Sequence, residues 1–215
     1  MPTPQEIAEL KALDKDIEKE SLRRLRANRS IDFVLQFAGY AQAEVDRVRD
    51  AVVRKGVHFD CTRGCAYCCH FEVGALPQEI LRIAREVRRR GKIADTITAL
   101  ENYLKRTRSA TTYRRGVACV FLVDNACAIY AIRPLMCRKC NSLDVEKCKD
   151  VDATVPENPE LEHKTGAILH GTIEAYRRNK LSAQPHELAR GLLVALTEAD
   201  AETRWYRGED VFGMR

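Results

Sequence analysis

Four cysteines and a histidine fall within the ten residues Cys61 to His70, CTRGCAYCCH, and five further cysteines follow at Cys119, Cys127, Cys137, Cys140 and Cys148. Two or three residues separate Cys61, Cys65 and Cys68, and two separate Cys137 from Cys140. Loops of that length let the backbone curl until both sulfurs reach one ion, while the rest of a site arrives from a distant turn. Thiolates suit zinc, copper(I) or the irons of an iron–sulfur cluster, and suit magnesium or calcium poorly. A buried structural thiol is the ordinary account of a lone cysteine. It serves Cys148 as well as ligation does, but it does not explain four cysteines in nine positions. The candidate ligands of a metal or cluster are therefore Cys61, Cys65, Cys68, Cys69, Cys119, Cys127, Cys137 and Cys140, with Cys148 as a ninth.

Neighbouring side chains of an extended segment point to opposite sides, so Cys68 and Cys69 together suit one ion badly. They imply two centres, a cluster with several metal corners, or a ligand beside an unliganded thiol. A four-iron cluster and a closed zinc site each take four thiolates, so the cysteine count does not separate iron from zinc. The apolar flanks VFLV and AIY lean toward iron–sulfur, because shielding from water is a lever on a cluster's potential. His70 is placed beside the site as a packing or hydrogen-bonding group. His58, His163, His170 and His186 have no partner legible in the sequence. Arg133 and Arg138 bracket Cys137, where they either lower thiol pKa values and offset cluster charge or serve as ordinary surface arginines.

The elements that must carry these residues read as mainly α. TPQE at Thr3 to Glu6 is a helix start with Thr3 as N-cap, Pro4 in the first helical position and Glu6 closing a capping box. Ile7, Leu10, Leu13 and Ile17 share one face of that helix. Phe33, Phe37, Ala41, Val45, Val48 and Val52 predict one helix from about Ser30 to Lys55, ended by Gly56. The first cysteine group follows in a loop. Pro77 opens a helix with Ile80, Ala84 and Val87, stopping near Gly91, and Ile93, Ile97, Leu100 and Leu104 predict another. VACVFLV, DN and ACAIY read as a short hairpin. LMCRKCNSLDVEKC is a turn-and-helix segment after Arg133-Pro134. Two helices close the chain, about Pro159 to Asn179 and Pro185 to Asp200, before an irregular tail anchored by Trp205. The expectation is one domain over residues 1–215: N-terminal helices to 57, a cysteine-cluster region at 58–150 built of irregular and β-hairpin structure with two intervening helices, and C-terminal helices at 151–215.

With 215 residues, a core forms without metal or disulfides, so the sulfur needs its own explanation. The balance of 36 basic against 31 acidic residues is a mild bias, which makes nucleic acid an unlikely partner. The densest basic run, RIAREVRRRGK at Arg82 to Lys92, reads first as a solvated helix face. No apolar run is long enough to cross a bilayer or act as a signal peptide, and clustered thiols outside disulfides suit a reducing cytosol, so a cytoplasmic protein without membrane contact is expected.

CTRGCAYCC, followed by CVFLVDNACAIYAIRPLMCR, resembles the YkgJ-like cysteine-cluster family, the zinc- or iron-chelating CxxCxxCC domain. The likeness spans about Cys61 to Cys140. Carried over position by position, it marks Cys61, Cys65, Cys68, Cys69, Cys119, Cys127 and Cys137 as the family cysteines, with Cys140 and Cys148 beyond the matched pattern. This chain departs in the three-residue gap between Cys61 and Cys65, and in CAYCC, which puts the bulky Tyr67 inside the loop. The resemblance implies a metal or iron–sulfur protein whose role is electron transfer, metal handling or structure. A similar cysteine domain in flagellin lysine methylases supplies an enzyme alternative, for which Glu72 and Asp124 are the nearest candidate bases. A module for nucleic acid or protein, stapled by metal, is the third reading. The sequence shows no Gly-rich phosphate loop or nucleophile elbow.

Overall fold

Helix α1 (Pro4–Ala27) begins as its first residues dictate: Thr3 accepts the Glu6 backbone N–H, and the Glu6 carboxylate accepts the Thr3 N–H at 2.7 Å. The computed structural model describes residues 2–61, 64–108, 116–150 and 153–213. Helix α1 lies along the long helix α8 (Pro159–Arg178). The two approach closely at Gly171, where a Cβ would stand 2.4 Å from the Asp14 carbonyl oxygen. Only a residue without a side chain fits that crossing. The predicted apolar face is partly displaced by this packing. Ile17 is buried with Leu25, whereas Ile7 is exposed.

The single helix expected from Ser30 to Lys55 is two: α2 (Ile31–Gln36), capped by the Ser30 hydroxyl, and α3 (Ala38–Arg54). The break falls at Phe37. Its ring stacks between Phe33 and Tyr40, with centroids 5.7 and 5.1 Å away. The apolar period continues across the join, so periodicity alone misses it. Helix α3 then packs against α8.

Helices α4 (Pro77–Arg89) and α5 (Ile93–Thr107) follow the predicted pattern, with Ile80, Ala84, Val87 and Leu100 buried. Helix α9 (Leu188–Thr197) packs against both. It starts later than Pro185 because His186 and Glu187 pair instead, as a two-residue antiparallel strand, with Gly74 and Ala75. The tail is helical before it turns irregular: α10 (Ala201–Tyr206) buries Trp205 completely, with its indole N–H donating to the Ser182 carbonyl at 2.8 Å. Residues 214 and 215 of that tail lie outside the described residues.

The architecture is mainly α, as expected. One apolar cluster joins α2, α4, α5, α9 and Trp205. A smaller one, formed by Ile17, Ala41, Val45, Leu76, Leu135 and Ile168, ties α1, α3 and α8 to the cysteine region. Among the described residues, no helix is long and apolar enough to cross a membrane. The basic run of Arg82 to Lys92 is solvated at its C-terminal end, while Arg82, Arg85 and Arg88 face the protein. Arg82 donates to Gln42, Arg85 pairs with Glu202 and Asp32, and Arg88 donates to the Ala195 carbonyl. Arg89 and Arg90 pair with Glu86.

Candidate metal centre

The first cysteine segment leaves α3 through Phe59, buried with Val52 and Leu161, which fixes where Cys61 begins. Cys68 and Cys69 sit in a 3-10 turn, Tyr67–His70. The second segment opens at Cys119, makes a hairpin from Leu122–Val123 and Ala126–Cys127, and continues into the short helices α6 (Leu135–Lys139) and α7 (Val145–Lys149). The hairpin turn is made by Asp124 and Asn125, both at positive φ (49° and 58°), the two-residue geometry that matches strand twist. Asp124 is therefore a turn residue. Cys127 ends the second strand, Cys137 lies within α6 and Cys140 caps its end.

The two segments meet. The Cys119 N–H donates to the Cys69 carbonyl at 2.8 Å, and the Asp60 N–H to the Ser142 carbonyl at 3.0 Å. The Asp60 carboxylate accepts the Val145 N–H at 2.9 Å, at the first residue of α7. Around this seam lies a cavity of about 660 Å³ lined by Cys61, Cys65, Cys68, Cys69, Cys119, Cys127, Cys137 and Cys140. Phe71, Phe121, Ile129, Met136 and Leu188 form its apolar wall, and Glu72, Glu157 and Arg133 also line it. Cys148, on α7, is absent from that lining but acts on Cys61 electrostatically.

Cys68 is where the thiols crowd. It accepts from Cys140 and from Cys69, and these bonds, helped by the Arg133 charge, hold its pKa well below the usual thiol value. The donors shift the other way: Cys69 and Cys140 are raised, first by their bonds to Cys68 and then by burial. Burial pushes Cys61 and Cys119 up to about 11, and raises Cys127 and Cys137 as well. Cys140 is exposed as a residue, while its thiol turns inward against Cys68.

The expectation that Cys68 and Cys69 point apart is corrected by this geometry. It assumed an extended backbone. A 3-10 turn rotates successive side chains by about 120° rather than 180°, which brings the two thiols together. Beyond that contact the neighbours differ. Cys61 feels Cys65, Cys68 and Cys148, whereas Cys69 feels Cys68, Cys119 and Cys127.

The two arginines separate in role. Arg133 stacks over Tyr130 at 3.8 Å and favours the ionised forms of Cys68 and Cys127. Arg138 also lines the cavity, but its hydrogen bonds go elsewhere. It is buried, pairs with Asp46 at 2.5 Å, and donates to the Ala131 and Arg133 carbonyls. His70 bonds the Ala66 carbonyl of its own turn at 3.2 Å. His58, His170 and His186 each face an aspartate, Asp60, Asp14 and Asp210.

Glu79 went unnoticed in the sequence because it lies on α4, far from any cysteine. It is buried, and its carboxylate accepts the Leu135 N–H at 2.8 Å, the Gln42 amide at 3.1 Å and the Leu76 N–H at 3.1 Å. It thereby ties the first residue of α6, the helix carrying Cys137, to the core.

The donor set fits a soft metal: eight thiols, apolar walls and one cation facing the most acidic thiol. Among the described residues, no group of three or more His, Cys, Asp or Glu side chains is drawn together tightly enough to grip a single ion.

Comparison with known families agrees with this geometry. Residues 60–158 match the CxxCxxCC family, described as "Putative zinc- or iron-chelating domain". The segment thus matches the same cysteine-cluster family that its spacing resembles. The match begins one residue before Cys61 and ends at Asn158, the N-cap of α8, so it takes in all nine cysteines. No curated protein and no solved structure matches the chain.

Proposed function

We propose that this chain, carrying a zinc- or iron-chelating domain between two sets of helices, holds an iron–sulfur cluster through thiolates of both cysteine segments in a reducing cytoplasm. The observation that carries the reading is the cavity itself: eight cysteines from segments some fifty residues apart in the sequence line one space of about 660 Å³. Iron–sulfur clusters are held by cysteine thiolates, and a space of this size lined by eight of them has room for a cluster's several metal corners. Such a cluster supplies one-electron transfer or structural cross-linking.

The chain's own residues do the rest. Cys69, Cys119, Cys127 and Cys137 form one ligand group. Cys61 neighbours Cys65, Cys68 and Cys148, and Cys68 touches both Cys69 and Cys140. Phe121, Ile129 and Leu188 exclude water, and Arg133 offsets thiolate charge. Zinc in the same thiolates is the alternative occupant.

Anaerobic purification with a visible spectrum, iron and zinc quantification and acid-labile sulfide analysis tests the proposal. Brown protein with iron and stoichiometric sulfide is expected. Colourless protein with stoichiometric zinc assigns the thiolates to zinc, and metal-free protein with native folding overturns both.

A further inference from the structure

A second cavity, of about 440 Å³, lies where the C-terminal ends of α1, α8 and α10 meet, and it contains none of the cysteines. Its buried floor is Leu25, Val34 and Leu181, with Tyr206 beside them. Its rim carries Arg26, Arg29, Arg178, Lys180 and Arg207 and no acidic residue. Arg178 pairs with Glu18 at 2.8 Å. Among the described residues the other four have no carboxylate partner.

Cations are ordinary at helix C-termini, where they answer the negative end of the macrodipole. That role accounts for part of this charge. Three helix ends supply at most roughly half a negative charge each, and Glu18 supplies one more, so five cations leave an excess of about two to three positive charges over one cavity.

The backbone gives an independent sign that the site is built. Helix α8 ends in a turn in which the Leu181 N–H returns to the Tyr176 carbonyl at 3.1 Å and the Lys180 N–H to the Arg177 carbonyl at 2.8 Å. The residue at Lys180 is left-handed, with φ of 63°, in the position glycine ordinarily takes. Lys180 thus stands where glycine would be less strained, and it lines the cavity. The facing wall is fixed too. Gly208, at φ of 95°, lies so close that a Cβ would stand 2.7 Å from the Lys180 carbonyl oxygen.

We propose that this cavity binds a small organic polyphosphate of the nucleoside diphosphate class. Its unpaired arginines and lysine hold the phosphates, and Leu25, Val34, Leu181 and Tyr206 receive the body of the ligand. The volume is of ligand-pocket size and several times that of a bare phosphate, and an apolar floor under a cationic rim suits an anion with an apolar or aromatic body. The site is independent of the cysteine cavity. Glu157, which precedes α8, lines the cysteine cavity, whereas Arg178 to Lys180 lie at the other end of a helix about 30 Å long.

The test is calorimetric titration of the full chain with ADP, and separately with inorganic pyrophosphate, at low and high salt. Saturable one-to-one binding of ADP, tighter than pyrophosphate and weakened about tenfold by several hundred millimolar salt, is expected. The double variant Lys180→Gly with Arg207→Gln should bind ADP at least about tenfold more weakly, since two charge-assisted contacts are lost. Its melting temperature should be unchanged or higher, because glycine relieves the left-handed position, and its metal content should equal that of the wild type. Absence of saturable binding by either probe overturns the proposal, as does equal affinity in the folded double variant. Binding to single-stranded RNA with no binding of ADP also overturns it, and reassigns the patch to nucleic acid.

Discussion

Removing the Glu79 carboxylate should loosen the cysteine region from inside the helical core. In Glu79→Ala, the Leu135 and Leu76 N–H groups and the Gln42 amide lose their common acceptor in a buried setting. Leaving a buried donor unsatisfied costs about 1–3 kcal/mol, and these bonds share one group and do not simply add, so a loss of about 4 kcal/mol is expected. Glu79→Gln is milder. Its remaining oxygen can keep Gln42 and Leu135, which share one carboxylate oxygen, while the new amide faces the Leu76 N–H; about 1–2 kcal/mol is expected. Urea unfolding of both variants measures this, with metal content determined in parallel. Because Leu135 opens the helix bearing Cys137, Glu79→Ala should also lower metal loading.

The pH dependence of the same pair carries a sign. Burial raises the Glu79 pKa in the fold, so its favourable contribution is present below the unfolded carboxyl pKa and is lost as pH rises through the folded value. Wild type should therefore gain stability relative to Glu79→Gln as pH falls through the folded pKa. An Ala variant within about 0.5 kcal/mol of wild type, the scatter of an ordinary surface change, would refute the reasoning.

Other consequences are independent of Glu79. Burial holds Cys61 and Cys119 near 11 and raises Cys127 and Cys137, so these thiols are protonated at neutral pH before metal binds. Apparent metal affinity should rise with pH by up to about one log unit per pH unit for each thiol that must ionise, with matching proton release in a weakly buffered titration. Gly171→Ala should cost about 3 kcal/mol by thermal unfolding, because its Cβ would meet the Asp14 carbonyl of the neighbouring helix rather than a flexible side chain. Arg138→Met should cost about 2 kcal/mol by chemical denaturation, since it frees the Asp46 carboxylate and two carbonyls near Cys137 while replacing the buried stem.

Much of this structure was legible wherever a local rule had no competitor. The capping box at Thr3, the proline start of α4, the hairpin turn at Asp124-Asn125 and the buried Trp205 each follow from residue chemistry within a few positions. The misses come from tertiary contacts. Phe37 interrupts a helix whose apolar period runs unbroken, and His186-Glu187 leave the predicted helix to pair with Gly74-Ala75. The cysteine spacing disclosed a thiol-rich site. It did not disclose that Cys68 and Cys69 share a 3-10 turn, because adjacency fixes no backbone conformation. Nor did it disclose that Arg138 serves Asp46, or that Glu79 and Glu157 belong to the surroundings of the sulfur, since such partnerships join residues far apart in the chain.

The central claim is that both cysteine segments hold one shared inorganic centre. Metal and sulfide content of anaerobically purified wild type, beside Cys69→Ser and Cys137→Ser, tests it most directly. The account predicts that both folded variants lose most of their metal. Full metal content in either one, with the loss confined to the other segment, would contradict it.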